Sequence, residues 1–235
     1  ALSVPRPEGA FAIHGGAAPT AASDFWRDAT AMLQWPLCLH AAVLGLLFFA
    51  KDFGYYGMGV FWPLAWAELD ISPMLPAQDL MATALLGVPG VGIAMAMMYR
   101  MSRRLAIVIS GLMCSVAALL IWQLERGYGR GVIGVLLFKL FFPTWQMVTM
   151  LLPCEIFPTK IRAMAYGCVA VMGRIATIIS PTVVERSHHG FLVTCSVLGL
   201  LSACSAYILP ETKDIELADA PSSPAAKKAS EYGAA

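Results

Sequence analysis

The feature that constrains this chain most is a series of six apolar stretches. Each is about as long as a bilayer is thick, and short segments between them hold nearly all the charge. They are read as membrane spans at about Leu37–Trp66, Leu80–Met98, Leu105–Leu124, Val132–Leu152, Ala163–Val184 and Phe191–Leu209. Backbone N–H and C=O groups find no water in lipid, so each stretch must satisfy its own as a helix. Charged residues make up 13% of the chain, against about 25% in an average soluble domain. The formal net charge of +1 supplies no basic surface for nucleic acid. The expected fold is all-α: a polytopic membrane protein with six transmembrane helices, whose first partner is the lipid bilayer.

Three segments follow from this pattern. Residues 1–36 form an N-terminal extension, 37–214 the six-helix domain and 215–235 a polar tail. Within the extension, Thr20, Ser23 and Asp24 are candidate N-caps for Phe25, Trp26, Ala29, Met32 and Leu33, which recur near helical spacing. A short amphipathic helix lying on the membrane is expected there, with Trp26 and Trp35 at headgroup depth and Pro36 ending it. The start at Ala1, in a stretch rich in Ala, Gly and Pro, reads as a mature terminus after removal of a targeting segment, which suggests a mitochondrial membrane. If the Ala/Ser/Pro/Lys tail is ordered, something outside the chain holds it. Arg100, Arg103, Arg104, Lys160, Arg162 and Lys213 fall on one side of the spans. Arg126, Arg130 and Arg186 on the other side are balanced by Glu68, Asp70, Asp79, Glu125 and Glu185. The basic excess puts both termini on the cytosolic or matrix side.

Neither the six cysteines (Cys38, Cys114, Cys154, Cys168, Cys195 and Cys204) nor the four histidines (His14, His40, His188 and His189) have metal-ligand spacing. The cysteines are read as small buried hydrophobes, and no metal or cofactor is expected. Without a nucleophile–base set or a phosphate-cradling loop, the chain is not expected to be an enzyme.

The charges inside the spans are more telling. Lys51, Asp52, Lys139 and Arg174 each cost about 2.5–3.5 kcal/mol at the bilayer centre unless they face protein or a wet cavity. Neighbours at i and i+1 do not share a helix face, so Lys51 and Asp52 are expected to pair elsewhere, and Asp52–Lys139 is a candidate pair at similar depth. These residues are either an ion or substrate site or a helix–helix clamp, and the clamp is favoured for Lys51, Asp52 and Lys139. Tyr55, Tyr56, Trp62, Trp66 and Trp145 are read as packing and interface anchors rather than a cage for a solute. At the membrane surface, Glu155 and Arg162 flank a Phe157-Pro158 turn and are placed to pair. Glu211, Arg103 and Arg104 are placed to join them. Such a cluster is either a conformational latch or a static network worth about 0–1 kcal/mol per pair.

The segment Glu155-Ile-Phe-Pro-Thr-Lys-Ile-Arg162, followed by Ala163, Gly167, Gly173, Arg174 and Pro181, resembles a signature of the major facilitator superfamily. It is similar to the loop between the tenth and eleventh helices of sugar and organic-ion porters. Pro210-Glu-Thr-Lys213 is similar to the motif that ends the twelfth helix. Phe53-Gly-Tyr-Tyr-Gly57 resembles the seventh helix of the synaptic-vesicle-like and organic-ion branch. The resemblance covers Leu37–Asp214 as the C-terminal six-helix half. It implies a latch role for the charge cluster and a transport role for Arg174. One motif departs: Tyr99-Arg-Met-Ser-Arg-Arg104 has Tyr99 for the family's acid and Ser102 for its Gly, which removes a charge partner from the switch.

In this family the solute site lies between two bundles, so one half needs a companion. The favoured expectation is a half-transporter fold repurposed as an accessory subunit among other membrane subunits, in a complex of respiratory or ATP-synthesising type. The alternative is a solute transporter that works as a dimer or with a partner chain supplying the other six helices.

Overall fold

The computed structural model describes residues 37–69, 87–123 and 128–212, together with Thr30, Trp35, Met81, Ala84 and Leu85. The expected interfacial helix, apart from Thr30 and Trp35, and the polar tail lie outside the described residues. The fold is all-helical, with no strand among the described residues. The helices are α1 (Leu37–Leu69), α2 (Gly87–Arg100), α3 (Arg103–Trp122), α4 (Tyr128–Ile156), α5 (Thr159–Arg186) and α6 (His188–Ser205), and a 3-10 turn, Ala206–Ile208, follows. Five segments are long and apolar enough to cross a membrane: Leu37–Leu64, Arg103–Trp122, Ile133–Ile156, Ile161–Arg186 and His188–Ile208.

Of the second expected span, Leu80–Met98, Met81, Ala84, Leu85 and the residues of α2 from Gly87 onward are helical, and the rest lies outside the described residues.

Helix ends follow the local chemistry. Ser102 caps α3 by accepting from the Leu105 N–H at 3.2 Å, and Ser187 caps α6 by accepting from the Gly190 N–H at 3.0 Å. α4 runs through Pro143 and Pro153, past the expected end at Leu152, to Ile156. Pro158 then caps α5 after a two-residue turn.

α1 lies along α5, α3 packs between α4 and α6, and α2 rests on α4. Phe53 and Phe61 of α1 meet Phe191 of α6 at ring-centroid distances of 5.5 and 6.1 Å. The α2–α4 contact is made by backbone. A Cβ at Gly90 would lie 2.5 Å from the carbonyl oxygen of Lys139 and 3.1 Å from that of Leu140. Gly90→Val is therefore expected to force the helices apart at a cost of about 1–3 kcal/mol. Thermal unfolding in detergent checks this, and an unchanged midpoint would mean that the contact is not made.

The cysteines correct an expectation. Cys114 and Cys195 are buried, Cys38 is half-buried, and Cys154, Cys168 and Cys204 are exposed on the bundle. A bundle in lipid is apolar outside as well as inside, so apolar neighbours in sequence do not tell the two faces apart.

Candidate functional site: an aromatic cleft with a cationic rim

α1 and α4 open a cleft between them, which Gly87 of α2 also lines. From α1 come Tyr55, Tyr56, Gly59 and Trp62, at spacings that share one helix face. From α4 come Phe138, Lys139, Phe142 and Pro143, again on one face. The cavity holds about 480 Å³, within the usual range for a small-molecule site of about 300–1,000 Å³.

Its walls are fixed by ring packing. Tyr55 stacks on Phe142 with centroids 5.5 Å apart, Phe142 stacks on Phe138 at 5.1 Å, and Trp145 meets the edge of this column at 6.1 Å. Lys139, half-buried, is the one charged side chain among the described lining residues. Trp62 is 3% exposed, and its indole N–H has no hydrogen-bond partner. The cleft therefore offers an ammonium among flat rings.

Trp62 and Trp145, 3% and 2% exposed, are packed into the bundle. Tyr55 and Tyr56 line the cleft and remain partly exposed. A sequence signal was present, since two adjacent tyrosines half-way along a span carry hydroxyls that lipid cannot satisfy.

Arg174 of α5 reaches this region from the side. Its Nη1 donates to the Tyr56 hydroxyl at 3.5 Å, and the residue is exposed on the bundle. The residue before it, Gly173, lies against Asp52 so closely that a Cβ would overlap the carboxylate.

The intramembrane pairing also differs from expectation. Asp52 does not pair with Lys139. Instead Lys51 Nζ donates to Asp52 Oδ1 at 2.5 Å, with the Lys51 side chain wholly buried and that of Asp52 11% exposed. The two Cα–Cβ bonds diverge, as the helix requires, but the four-carbon lysine stem curls back far enough to close the gap. The same ammonium sits 4.8 Å from the centroid of the Phe48 ring, a cation–π contact. Lys139 is left to the cleft.

The other predicted cluster gathers where α2 and α4 end and α3 begins, beside the segment after α6. Arg103 Nε pairs with Glu155 Oε1 at 3.3 Å, its backbone N–H donates to Glu211 Oε1 at 2.9 Å, and its Nη1 donates to the Met98 carbonyl at 3.0 Å. Arg104 donates to the Leu209 carbonyl, and the Thr212 hydroxyl donates to Glu155 Oε2. Arg162 is turned away from Glu155. It sits at the start of α5, and its Nε donates to the Phe157 carbonyl at 3.2 Å, which satisfies the turn after α4. Both partners of the Arg103–Glu155 pair are about a fifth exposed, so Glu155→Gln is expected to cost no more than about 1 kcal/mol. Chemical unfolding of the purified variant checks this, and a loss several times larger would contradict it. Tyr99 is 84% exposed.

No protein-family model matches the chain. It is similar to solute carrier family 22 member 12 of Rattus norvegicus, with 30% identity over 193 residues, which cover 78% of this chain and 32% of the rat protein. An uncharacterized protein of Caenorhabditis elegans is 31% identical over 80 residues, 32% of this chain and 15% of that protein. The chain spans about a third of the length of the rat relative it matches. Its membrane-spanning helices and this similarity make it a transporter-like integral membrane protein.

Proposed function

We propose that the chain is one six-helix half of a solute transporter of the major facilitator type, and that its cleft holds an aromatic organic anion. The observation that carries this reading is the one charged side chain among the described lining residues: Lys139 stands in a cavity walled by Tyr55, Tyr56 and Phe142. A flat ring lies against the aromatic faces, and its carboxylate pairs with the ammonium. Arg174 adds a second cation at the rim, whereas the Lys51–Asp52 pair is neutral as a unit.

Two further observations favour a companion bundle. A guanidinium exposed half-way along a span is costly against lipid, so the face of α5 that carries Arg174 turns to protein or a wet cavity. α5 is also the least covered span, with 28% of its membrane window buried against 44–56% in the others. The second wall then comes from a second six-helix bundle, on this polypeptide or another. The excess of Lys and Arg on the side of Arg103 and Arg104 supports a cytosolic or matrix orientation for that side.

Thermal stability in mild detergent tests the reading. Benzoate is expected to raise the unfolding midpoint, and benzamide, its neutral analogue, to do so far less. Equal or absent shifts, with co-migration in a much larger assembly, would favour an accessory-subunit role instead.

A further inference from the structure

Where α2 meets α3, positive charge outruns its protein counter-ions. Arg103 engages both described acids of the cluster, pairing with Glu155 and giving its backbone N–H to Glu211. The other Glu155 oxygen accepts from the Thr212 hydroxyl. Arg104 donates to a neutral acceptor, the Leu209 carbonyl. Arg100, the last residue of α2, is exposed and makes no hydrogen bond or ion pair with the described residues. The link from Tyr99 to Arg104 contains no carboxylate. Among the described residues, then, the guanidinium charges of Arg100 and Arg104 stand on either side of a short turn, Met101-Ser102, with no carboxylate to match them. Beneath them the surface is apolar. α2 and α3 rest on α4 far more than on each other, so a furrow runs between them over α4. Val88, Val91 and Met95 of α2 and Leu105, Leu112 and Val116 of α3 are exposed. Tyr99, 84% exposed at the end of α2, stands where an amphipathic ring suits the boundary between lipid and water.

We propose that this furrow binds an anionic phospholipid, its phosphate on Arg100 and Arg104 and an acyl chain along α2 and α3. Charge and shape select the ligand together. A guanidinium holds a phosphate through parallel N–H donors, which gives geometric as well as electrostatic preference. A soluble anion would meet the charges but leave the apolar furrow uncovered. A zwitterionic lipid would cover the furrow, but its own cation cancels part of the attraction. An anionic lipid supplies both the missing counter-charge and the missing apolar cover. Each arginine near a membrane surface adds about a fivefold preference for anionic lipid. Lipid bound here braces α2 against α3, and α2 is the helix whose Gly87 lines the cleft. The site is separate from the cleft and does not depend on what the cleft holds.

Native mass spectrometry of the full protein released from detergent micelles tests this, with phosphatidylglycerol and phosphatidylcholine of identical chains as the probes. Wild type is expected to bind phosphatidylglycerol roughly tenfold or more tightly than phosphatidylcholine. Arg100→Gln is expected to bind phosphatidylglycerol about fivefold more weakly, and Arg100→Gln/Arg104→Gln to lose the preference. Phosphatidylcholine binding is expected to change little in either variant. If the double variant does not fold, Arg100→Glu is expected to bind phosphatidylglycerol more weakly than Arg100→Gln does. Glycerol phosphate, the soluble headgroup, is expected not to displace the lipid at equal concentration. Equal binding of the two lipids by wild type, or an unchanged preference in Arg100→Gln and Arg100→Glu, would overturn the proposal. Displacement by glycerol phosphate at equal concentration would mean a surface anion site without the furrow, and would overturn it as well.

Discussion

Replacing Asp52 by Ala while Lys51 stays in place is expected to cost about 3–5 kcal/mol of stability. The Lys51 side chain has no exposed surface, and Asp52 is its hydrogen-bonding counter-ion, helped by the face of Phe48. Removing the carboxylate leaves an ammonium in a low-dielectric seam with no route to water. The pair itself is a different matter, because desolvating two charges offsets most of their attraction. Lys51→Met/Asp52→Asn, which leaves neither charge behind, is therefore expected to recover most of the loss. Reversible unfolding in mixed micelles of wild type, single and double variants measures both quantities. A double variant as unstable as Asp52→Ala would mean that the pair stabilises the seam beyond mutual compensation. A single variant as stable as wild type would mean that Lys51 reaches solvent.

The second large effect is on solute recognition. Lys139→Gln keeps the length and polarity of the side chain but removes its charge. A hydrogen bond to a charged group contributes about 1.5–3 kcal/mol, so benzoate is expected to bind roughly ten- to a hundredfold more weakly. Benzamide binding is expected to change little, and Lys139→Arg to retain much of the benzoate affinity. Scintillation proximity binding on the purified protein reads all three. Equal losses for benzoate and benzamide would point to a collapsed cleft rather than a lost charge. Unchanged benzoate affinity would remove Lys139 from the site.

Much of this architecture was legible in the residues. Span length and the scarcity of charge led directly to an all-helical membrane bundle, because lipid leaves the backbone no other economical choice. Ser102 and Ser187 each stand at a helix start and act there as caps. What the sequence could not convey was which faces meet. Spacing alone argued that Lys51 and Asp52 point apart, and so they do at Cβ, but rule-of-thumb geometry ignores the reach of a lysine stem. It also suggested Glu155–Arg162 across the α4–α5 turn, whereas the fold brings Arg103, from 52 positions earlier in the chain, to that carboxylate. The cleft was hidden for the same reason. Tyr55 and Trp62 on α1 become a wall only because Phe138 and Phe142 of α4 stand opposite.

A passage for an anionic solute and a packing defect in a structural subunit differ in what crosses the membrane. Radiolabelled benzoate flux into vesicles that contain the full protein with its companion bundle is the most direct measurement. Saturable uptake, accelerated by unlabelled benzoate inside the vesicles and abolished or severely reduced in Lys139→Gln, is the predicted result. Flux no greater than that of protein-free vesicles, or uptake unaffected by Lys139→Gln, would contradict it.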